Sequence, residues 1–228
     1  MSRPVDDAGV RSDTTRAEGF SDGVLAIVIT LLVLDLRVPE VENGHLLSGL
    51  LKQWPAYGAY VASYLYVAVV WLNHRATFNR IRIADRGLHW ANLFVLFSTA
   101  LLPFPTAVVS RALQDHNQQD QRVGIAFYAL VSALLCVSWL VFFHYLTRHR
   151  ELLEDGVHDR LYPSERLRAL IGLVLYVVAG LIGYLVAPLA SLAIFVLLPV
   201  FYGVTSAGLY NAPPFARRLV NRPPPPDA

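Results

Sequence analysis

The chain has 228 residues, of which 55% are hydrophobic and 16% are charged. Soluble domains carry about 25% charged residues, so this composition excludes an ordinary soluble domain and favours a membrane protein. The net charge of +2 is too small to indicate a nucleic-acid partner, and the single cysteine, Cys136, excludes a disulfide framework within the chain.

The apolar residues fall into six blocks, each near the length of about 20 residues that a helix needs to cross the hydrocarbon core. We predict an all-α protein with six transmembrane helices at residues 19–38, 54–78, 88–110, 123–147, 167–187 and 189–210. Residues 1–18 are predicted to be a cytosolic segment, and residues 211–228 a Pro-rich cytosolic tail. Pro103 and Pro105 are expected to end or kink the third helix, because proline removes a backbone hydrogen bond.

The arginine and lysine residues predict the orientation of these helices. Of the 19 basic residues, 15 fall in the segments on the same side as the two termini. The others are Arg37, Lys52, Arg111 and Arg122. Because positive charge accumulates in cytoplasmic loops, we predict a multi-pass protein of the cell membrane with both termini in the cytoplasm.

Three polar residues are predicted to lie about one helical turn inside the inner membrane boundary. They are Asp22 in the first helix, His74 in the second and Asn92 in the third, with Ser21 and Trp71 close by. Their similar depth allows a hydrogen-bonded cluster, which would either hold the helices together or carry protons through the histidine. One His and one Asp make a poor metal-ligand set, so we expect no metal, no cofactor and no catalytic site.

The first helix has an apolar face. It consists of Phe20, Ile27, Leu31, Leu34 and Val38, with Thr30 beside it. By itself this pattern does not indicate a pore, because every spanning helix has an apolar face that packs on a neighbour or on lipid.

The same helix resembles the first-helix signature of the transmembrane protein 175 family, in its bacterial form. The matching run is Arg16-x-x-x-Phe20-Ser21-Asp22-Gly23-Val24-x-Ala26-Ile27-x-x-Thr30-Leu31-Leu32. Two further segments are similar to the second and third helices of the family, Trp71-x-x-His74-x-x-x-Phe78 and Asn92 followed by Leu101-Leu102-Pro103-Phe104-Pro105-Thr106. Beyond residue 110 the match rests on the number, length and orientation of the helices.

The resemblance implies a homotetramer whose first helices line a central pore, and a potassium-selective or potassium-preferring cation channel, not an enzyme. It places rings of Ile27, Leu31 and Leu34 at the constriction, with the hydroxyl of Thr30 near the first ring. It assigns a polar network, structural or gating, to Arg16, Phe20, Ser21, Asp22, Trp71, His74 and Asn92.

Two features leave alternatives open. Asp35 would enrich cations at the outer mouth if it faces the pore axis, unless the nearby Arg37 neutralises it. The inner cluster also suits a proton-permeable channel or a proton-coupled secondary transporter. Transporters usually place ionisable groups near the membrane midplane, whereas these groups lie near the inner face, which favours a channel with potassium ions, lipid and further copies of the chain as its partners.

Overall fold

The computed structural model describes residues 7–114, 117–158 and 161–205. The described residues form eight α-helices, which confirms the predicted all-α class. They are α1 (Asp7–Leu32), α2 (Leu46–Lys52), α3 (Trp54–Phe78), α4 (Arg86–Ala100), α5 (Pro103–Gln114), α6 (Gln118–Arg148), α7 (Leu161–Leu185) and α8 (Pro188–Thr205). Short 3-10 turns follow α1 and α6 at Val33–Asp35 and Arg150–Leu152. The predicted tail, residues 211–228, lies outside the described residues, as do residues 1–6 and 206–210.

Five segments of the described chain are long and apolar enough to cross a membrane. They are Thr14–Asp35, Trp54–Phe78, Arg86–Gln114, Gln118–Arg148 and Leu161–Leu185. The apolar helix α8 is shorter than these five. The sixth crossing therefore stays a prediction, and so does the cytoplasmic position of both termini.

The helices differ from the predicted spans by up to six residues at several ends, including the end of α1 and the beginning of α7, and three differences are larger. Helix α1 begins at Asp7, so part of the expected cytosolic segment is helical. The third span consists of α4 and α5, which are separated at Leu101 and Leu102 because Pro103 and Pro105 have no N–H to donate. Backbone hydrogen bonds still cross this break, so the two helices form one kinked segment. The third difference is α2, a helix in the predicted outer loop that the hydropathy pattern did not indicate.

The longest helix, α6, packs against α4, α5 and most extensively α7. A side chain at Gly180 of α7 would begin 2.6 Å from Ala129 of α6, so glycine permits this close approach. On the other side of the bundle, α3 packs against α1, α5 and α8. The hydroxyl of Ser63 on α3 lies 2.7 Å from Thr106 of α5 and 3.0 Å from Tyr128 of α6, and these bonds tie the three helices together inside the apolar core.

The two loops on the predicted inner side pair with each other. The Arg82 N–H donates to the Leu152 carbonyl at 2.8 Å, and the Glu154 N–H donates to the Arg80 carbonyl at 2.9 Å. This short antiparallel contact anchors the loop that enters α4. Helix α4 carries Asn92, so the inner loops contribute to the position of the predicted polar cluster.

Candidate functional site

Helix α1 is buried along one narrow stripe only. Ser21, Leu25, Val28 and Leu32 are almost completely buried and recur at intervals of three or four residues. This spacing places them on one face of the helix, which packs against α3 and α4. The stripe therefore fixes which side of α1 faces the rest of the subunit.

Two of the predicted constriction residues, Ile27 and Leu31, lie on the uncovered side of α1, and Leu34 lies in the 3-10 turn that follows it. In the single chain Ile27 is 60% exposed, Leu31 43% and Leu34 68%. Thr30 is also exposed, and its hydroxyl donates to the Ile27 carbonyl at 2.8 Å. The threonine oxygen keeps its acceptor capacity, so it can accept a hydrogen bond from a water molecule on this face.

A buried chain of hydrogen bonds joins α1, α3 and α4. The His74 Nε2 and Asn92 Oδ1 atoms are 2.9 Å apart, and the Asn92 Nδ2 donates to the Ser21 hydroxyl, also at 2.9 Å. Ser21 in turn donates to the Ala17 carbonyl at 2.8 Å. Because the amide oxygen of Asn92 can only accept, the histidine must carry its proton on Nε2.

The environment of His74 favours a neutral ring. Its side chain is buried and stacks on Phe78, with 4.2 Å between the ring centroids. Among the described residues its Nδ1 atom has no hydrogen-bond partner. A proton added there would create a buried charge whose N–H has no acceptor, which is costly.

Asp22 belongs to a separate contact. It is exposed and accepts a hydrogen bond from the Trp71 Nε1 at 2.9 Å, and the Arg75 guanidinium lies over the Trp71 ring, 5.6 Å from its centroid. Within the described residues no hydrogen bond joins Asp22 to His74 or Asn92. The predicted single cluster is therefore two contacts, one buried and one exposed, on neighbouring positions of α1.

Arg16 and Phe20 lie beside the buried contact. Both side chains are exposed and line a cleft between α1 and α4 whose wall includes Ala17 and Asn92 of that contact. In the described part of the chain, the Arg16 guanidinium makes none of the hydrogen bonds of the two contacts. Its predicted role as a partner of Asp22 is therefore untested within one subunit.

The predicted outer mouth contains more positive charge than the sequence indicated. Asp35 shares a polar cleft with Arg37 and with Arg111, which comes from α5. Two guanidinium groups near one carboxylate leave this cleft without net negative charge. Attraction of cations by Asp35 is correspondingly weakened, and the contribution of Arg111 could not be read from its position in the sequence.

A contact that the sequence analysis missed holds the beginning of α4. Asp85 caps this helix by accepting the Leu88 N–H at 2.7 Å, and its second oxygen accepts the Tyr145 hydroxyl of α6 at 2.6 Å. A larger residue at Gly87 would displace the end of the Tyr145 ring and so disturb this contact. Partial burial raises the pKa of Asp85, but the hydrogen bonds from Tyr145 and Leu88 outweigh it and hold this pKa below its usual value. An aspartate directly before a predicted helix is a sequence pattern from which this cap could have been predicted.

Comparison with known proteins gives matches of both sequence and structure. A family model described as "Endosomal/lysosomal potassium channel TMEM175" matches residues 16–103. A potassium channel of Streptomyces collinus is 36% identical over 193 residues, which cover 84% of this chain and 92% of that protein. The endosomal/lysosomal proton channel TMEM175 of Bos taurus is 30% identical over 163 residues, and the match spans 66% of this chain but 32% of that longer protein.

A solved structure agrees with these relatives. The crystal structure of a lysosomal potassium-selective channel TMEM175 homolog from Chamaesiphon minutus superposes with a TM-score of 0.73 at 30% sequence identity. The superposition covers 86% of this chain and 99% of that one. These matches confirm the resemblance found in the first three predicted helices and extend it through the later ones. This chain belongs to the TMEM175 family.

Proposed function

We propose that this chain forms a passive potassium-selective channel, in which homotetramers place the uncovered face of α1 around a central pore. The main supporting observation is that α1 is packed along one stripe and held in that rotation by two directional side-chain bonds, which leaves Ile27, Leu31 and Leu34 exposed. The matched relative of Streptomyces collinus is a potassium channel, and the family is one of ion channels and not an enzyme class.

The two polar contacts support this assignment because together they limit rotation of α1. Ser21 and Asp22 are adjacent, so their side chains leave the helix about 100° apart. Ser21 is held from α4 through Asn92, and Asp22 is held from α3 through Trp71. Two directional bonds at different angles define which residues of α1 remain uncovered.

An apolar ring gives this proposed pore a simple gate. A narrow passage lined by aliphatic side chains dewets and excludes ions, and slight widening allows water to return. Rings of Ile27, Leu31 and Leu34 would form three such levels along α1. Small tilts or rotations of the helix would change the pore radius at all three.

Selectivity requires a different explanation, because aliphatic groups cannot replace a hydration shell as carbonyl oxygens do. In our hypothesis a partly dehydrated potassium ion crosses the rings, since it releases water more readily than sodium. Thr30 lies beside the Ile27 ring with an available acceptor oxygen, so it would hold water that the ion retains.

The buried contact argues against a proton relay through this site. The chain of hydrogen bonds runs from His74 through Asn92 to Ser21 and ends at the Ala17 carbonyl. An amide does not readily accept and release protons, so Asn92 interrupts the path that a proton-permeable channel or a proton-coupled transporter would need. The contact supports the role of a clip between helices.

Ion flux from liposomes tests the proposal. Purified protein should release potassium from loaded liposomes down its gradient when an ionophore carries compensating charge, and sodium-loaded liposomes should release far less. Flux that needs an opposing proton gradient and saturates at low turnover would instead identify a transporter. Equal potassium and sodium release, or none, would contradict a potassium-selective channel.

Cross-linking tests the central position of α1. In a Cys136→Ser background, Leu34→Cys should give dimers, trimers and tetramers with a bifunctional maleimide, because equivalent residues surround the pore. Leu181→Cys is the matched control, since Leu181 is similarly exposed but lies on α7. Cross-linked oligomers from the α7 position alone would contradict the proposed arrangement.

A further inference from the structure

The loop between α1 and α3 contains a short helix, α2, with two chemically different sides. At about 100° per residue its leucines fall within an arc of about 140°. They are Leu46, Leu47, Leu50 and Leu51. Ser48 and Lys52 lie on the opposite side, so this segment is amphipathic over its whole length.

Helix α2 exposes its apolar side, which is unusual for an amphipathic helix in a loop surrounded by water. An amphipathic helix normally buries its apolar stripe against the protein core. Here the buried residue is Gly49, which lies against Val41 and Pro39 of the preceding segment. Leu47 is 71% exposed and Leu51 66%, so the apolar side points away from the subunit.

The exposed leucines continue into the apolar surface of the spanning helices. Leu51 and Trp54 line a groove of about 820 Å³ together with Leu113 at the end of α5 and Leu189 at the beginning of α8. Trp54 is itself the first residue of α3 and is exposed. The patch is therefore joined to the ends of membrane-spanning segments on the same side of the protein.

The groove extends from the segment that follows α1 to the beginning of α8. Its lining includes Pro39 to Val41 at one end and Leu189 at the other. Helix α8 packs on α3 and α7, whereas α1 packs on α3 and α4, so the two helices lie on different sides of α3. The end of the groove at Leu189 is therefore on the side of α3 away from the proposed pore.

We propose that α2 is an interfacial helix that inserts its leucines and Trp54 into the outer leaflet of the bilayer. Amphipathic helices lie in the membrane plane with their apolar side about 5–10 Å into the boundary between headgroups and acyl chains. Tryptophan and lysine favour this depth, so Trp54 would mark the interface and Lys52 would reach the phosphate groups of phospholipids. The proposal requires that the chain spans a membrane with both termini in the cytoplasm, but not that it conducts potassium.

Site-directed spin labelling tests this placement in the full-length protein. Single cysteines at residues 45–52, in a Cys136→Ser background, are labelled after reconstitution into phosphatidylcholine and phosphatidylglycerol vesicles. Serine retains a hydrogen-bonding group near Tyr66, whose hydroxyl lies 3.4 Å from the Cys136 sulfur. Collision rates with oxygen, which concentrates in lipid, and with a water-soluble nickel complex are measured at each position.

The expected result is a helical pattern in which Leu47 and Leu51 labels collide mainly with oxygen. The Ser48 label is the matched control, because it is one residue away and should collide mainly with nickel. Nickel access at Leu47 and Leu51 would place the leucines in water and overturn the proposal. Low access to both reagents would mean that another copy of the chain covers them, which overturns it equally.

Tryptophan fluorescence gives a second measurement with unlabelled protein. Leu47→Ser combined with Leu51→Ser should shift Trp54 emission to longer wavelength in vesicles, because the helix would leave the apolar region. Emission from a Trp54→Phe variant identifies this signal among the four tryptophans. An unchanged Trp54 spectrum in the double variant would contradict insertion of α2.

Discussion

Helices α1 and α7 are both long, apolar and largely uncovered within one subunit. Inside the chain, 22% of the most apolar window of α1 is buried and 28% of that of α7, against 61% for α6. Their exposed faces differ in chemistry. Helix α7 exposes aliphatic side chains such as Leu170, Val174 and Leu181, whereas α1 also exposes Asp22 and Thr30. Exposure alone therefore does not separate a lipid-facing helix from a pore-lining one.

The two helices are also held in different ways. Helix α7 lies against α6 through close contacts at Gly172 and Gly180, where an added Cβ would lie 3.3 Å from the Cys136 sulfur and 2.6 Å from Ala129. The bonds that α7 receives from α8 end on its backbone carbonyls, at Arg168 and Ala179, and not on its side chains. Helix α1 has directional side-chain bonds at Ser21 and Asp22. Lipid tolerates rotation of a helix, but a pore needs defined side chains on its axis, and directional bonds supply that definition.

The largest effect is expected from replacing an exposed leucine by alanine, once on each of the two helices. Leu31→Ala should reduce the potassium-to-sodium permeability ratio at least tenfold, about 1.4 kcal/mol, because a wider ring passes hydrated ions. Leu181→Ala on α7 should leave the ratio unchanged. Bi-ionic reversal potentials in planar bilayers measure both variants. Equal effects at the two positions would remove the distinction between these helices.

A smaller effect is expected from breaking the buried contact that holds α1. Asn92→Ala removes two hydrogen bonds and leaves the His74 N–H without its acceptor, so it should lower the free energy of unfolding by about 1 kcal/mol. Ser98→Ala is the control on the same helix, because its buried hydroxyl bonds within that helix, to the Phe94 carbonyl one turn away. Unfolding in mixed detergent micelles compares the two variants, and equal stability would show that the contact does not stabilise the bundle.

The stability that the Asp85 contact gives to the beginning of α4 should depend on pH. Asp85→Asn is expected to destabilise the protein at neutral pH by about 0.5–1 kcal/mol, because the amide can still cap α4 but its bonds with Tyr145 and Leu88 are no longer made to a charged acceptor. The folded-state pKa of Asp85 lies below its usual value, so its contribution is present above the ordinary carboxyl pKa near 3.9 and is lost as the pH falls further. Thermal unfolding of the wild-type protein and of Asp85→Asn at pH 7 and at acid pH should show that their difference in stability is smaller at acid pH. A constant difference would mean that ionised Asp85 is not the stabilising form.

The smallest expected effect concerns the hydroxyl of Thr30. Thr30→Val keeps the shape of the side chain but removes the acceptor oxygen, and we expect a twofold to threefold lower permeability ratio, roughly 0.5 kcal/mol. The same reversal-potential measurement applies, with wild-type protein in parallel. An unchanged ratio would reject a role for this hydroxyl in holding water.

Much of the candidate site could be predicted from local patterns. Hydropathy placed the second span at residues 54–78, which are the bounds of α3, and the five candidate spans together with the family assignment identify a multi-pass protein of the cell membrane. The helical period placed Ile27, Leu31 and Leu34 on one face of the first span, and the structure leaves all three uncovered; their place at a constriction stays a prediction.

The pairing of the polar residues was not predictable in the same way. Equal depth suggested one cluster around Asp22, but adjacent residues on a helix point about 100° apart. Ser21 therefore reaches Asn92, and Asp22 reaches Trp71 instead. The rotation of α1 decides between these partners, and it depends on packing by residues far apart in the chain.

The sequence by itself determined the helical class, the approximate spans and the family, because these depend on composition, period and a local motif. Tertiary structure decided which face of α1 is covered, which partner each polar residue takes and how Arg111 approaches Asp35. The physical reason is that an apolar helix in a membrane has no preferred rotation of its own. Its neighbours impose one through packing and through hydrogen bonds such as the one between Asn92 and Ser21.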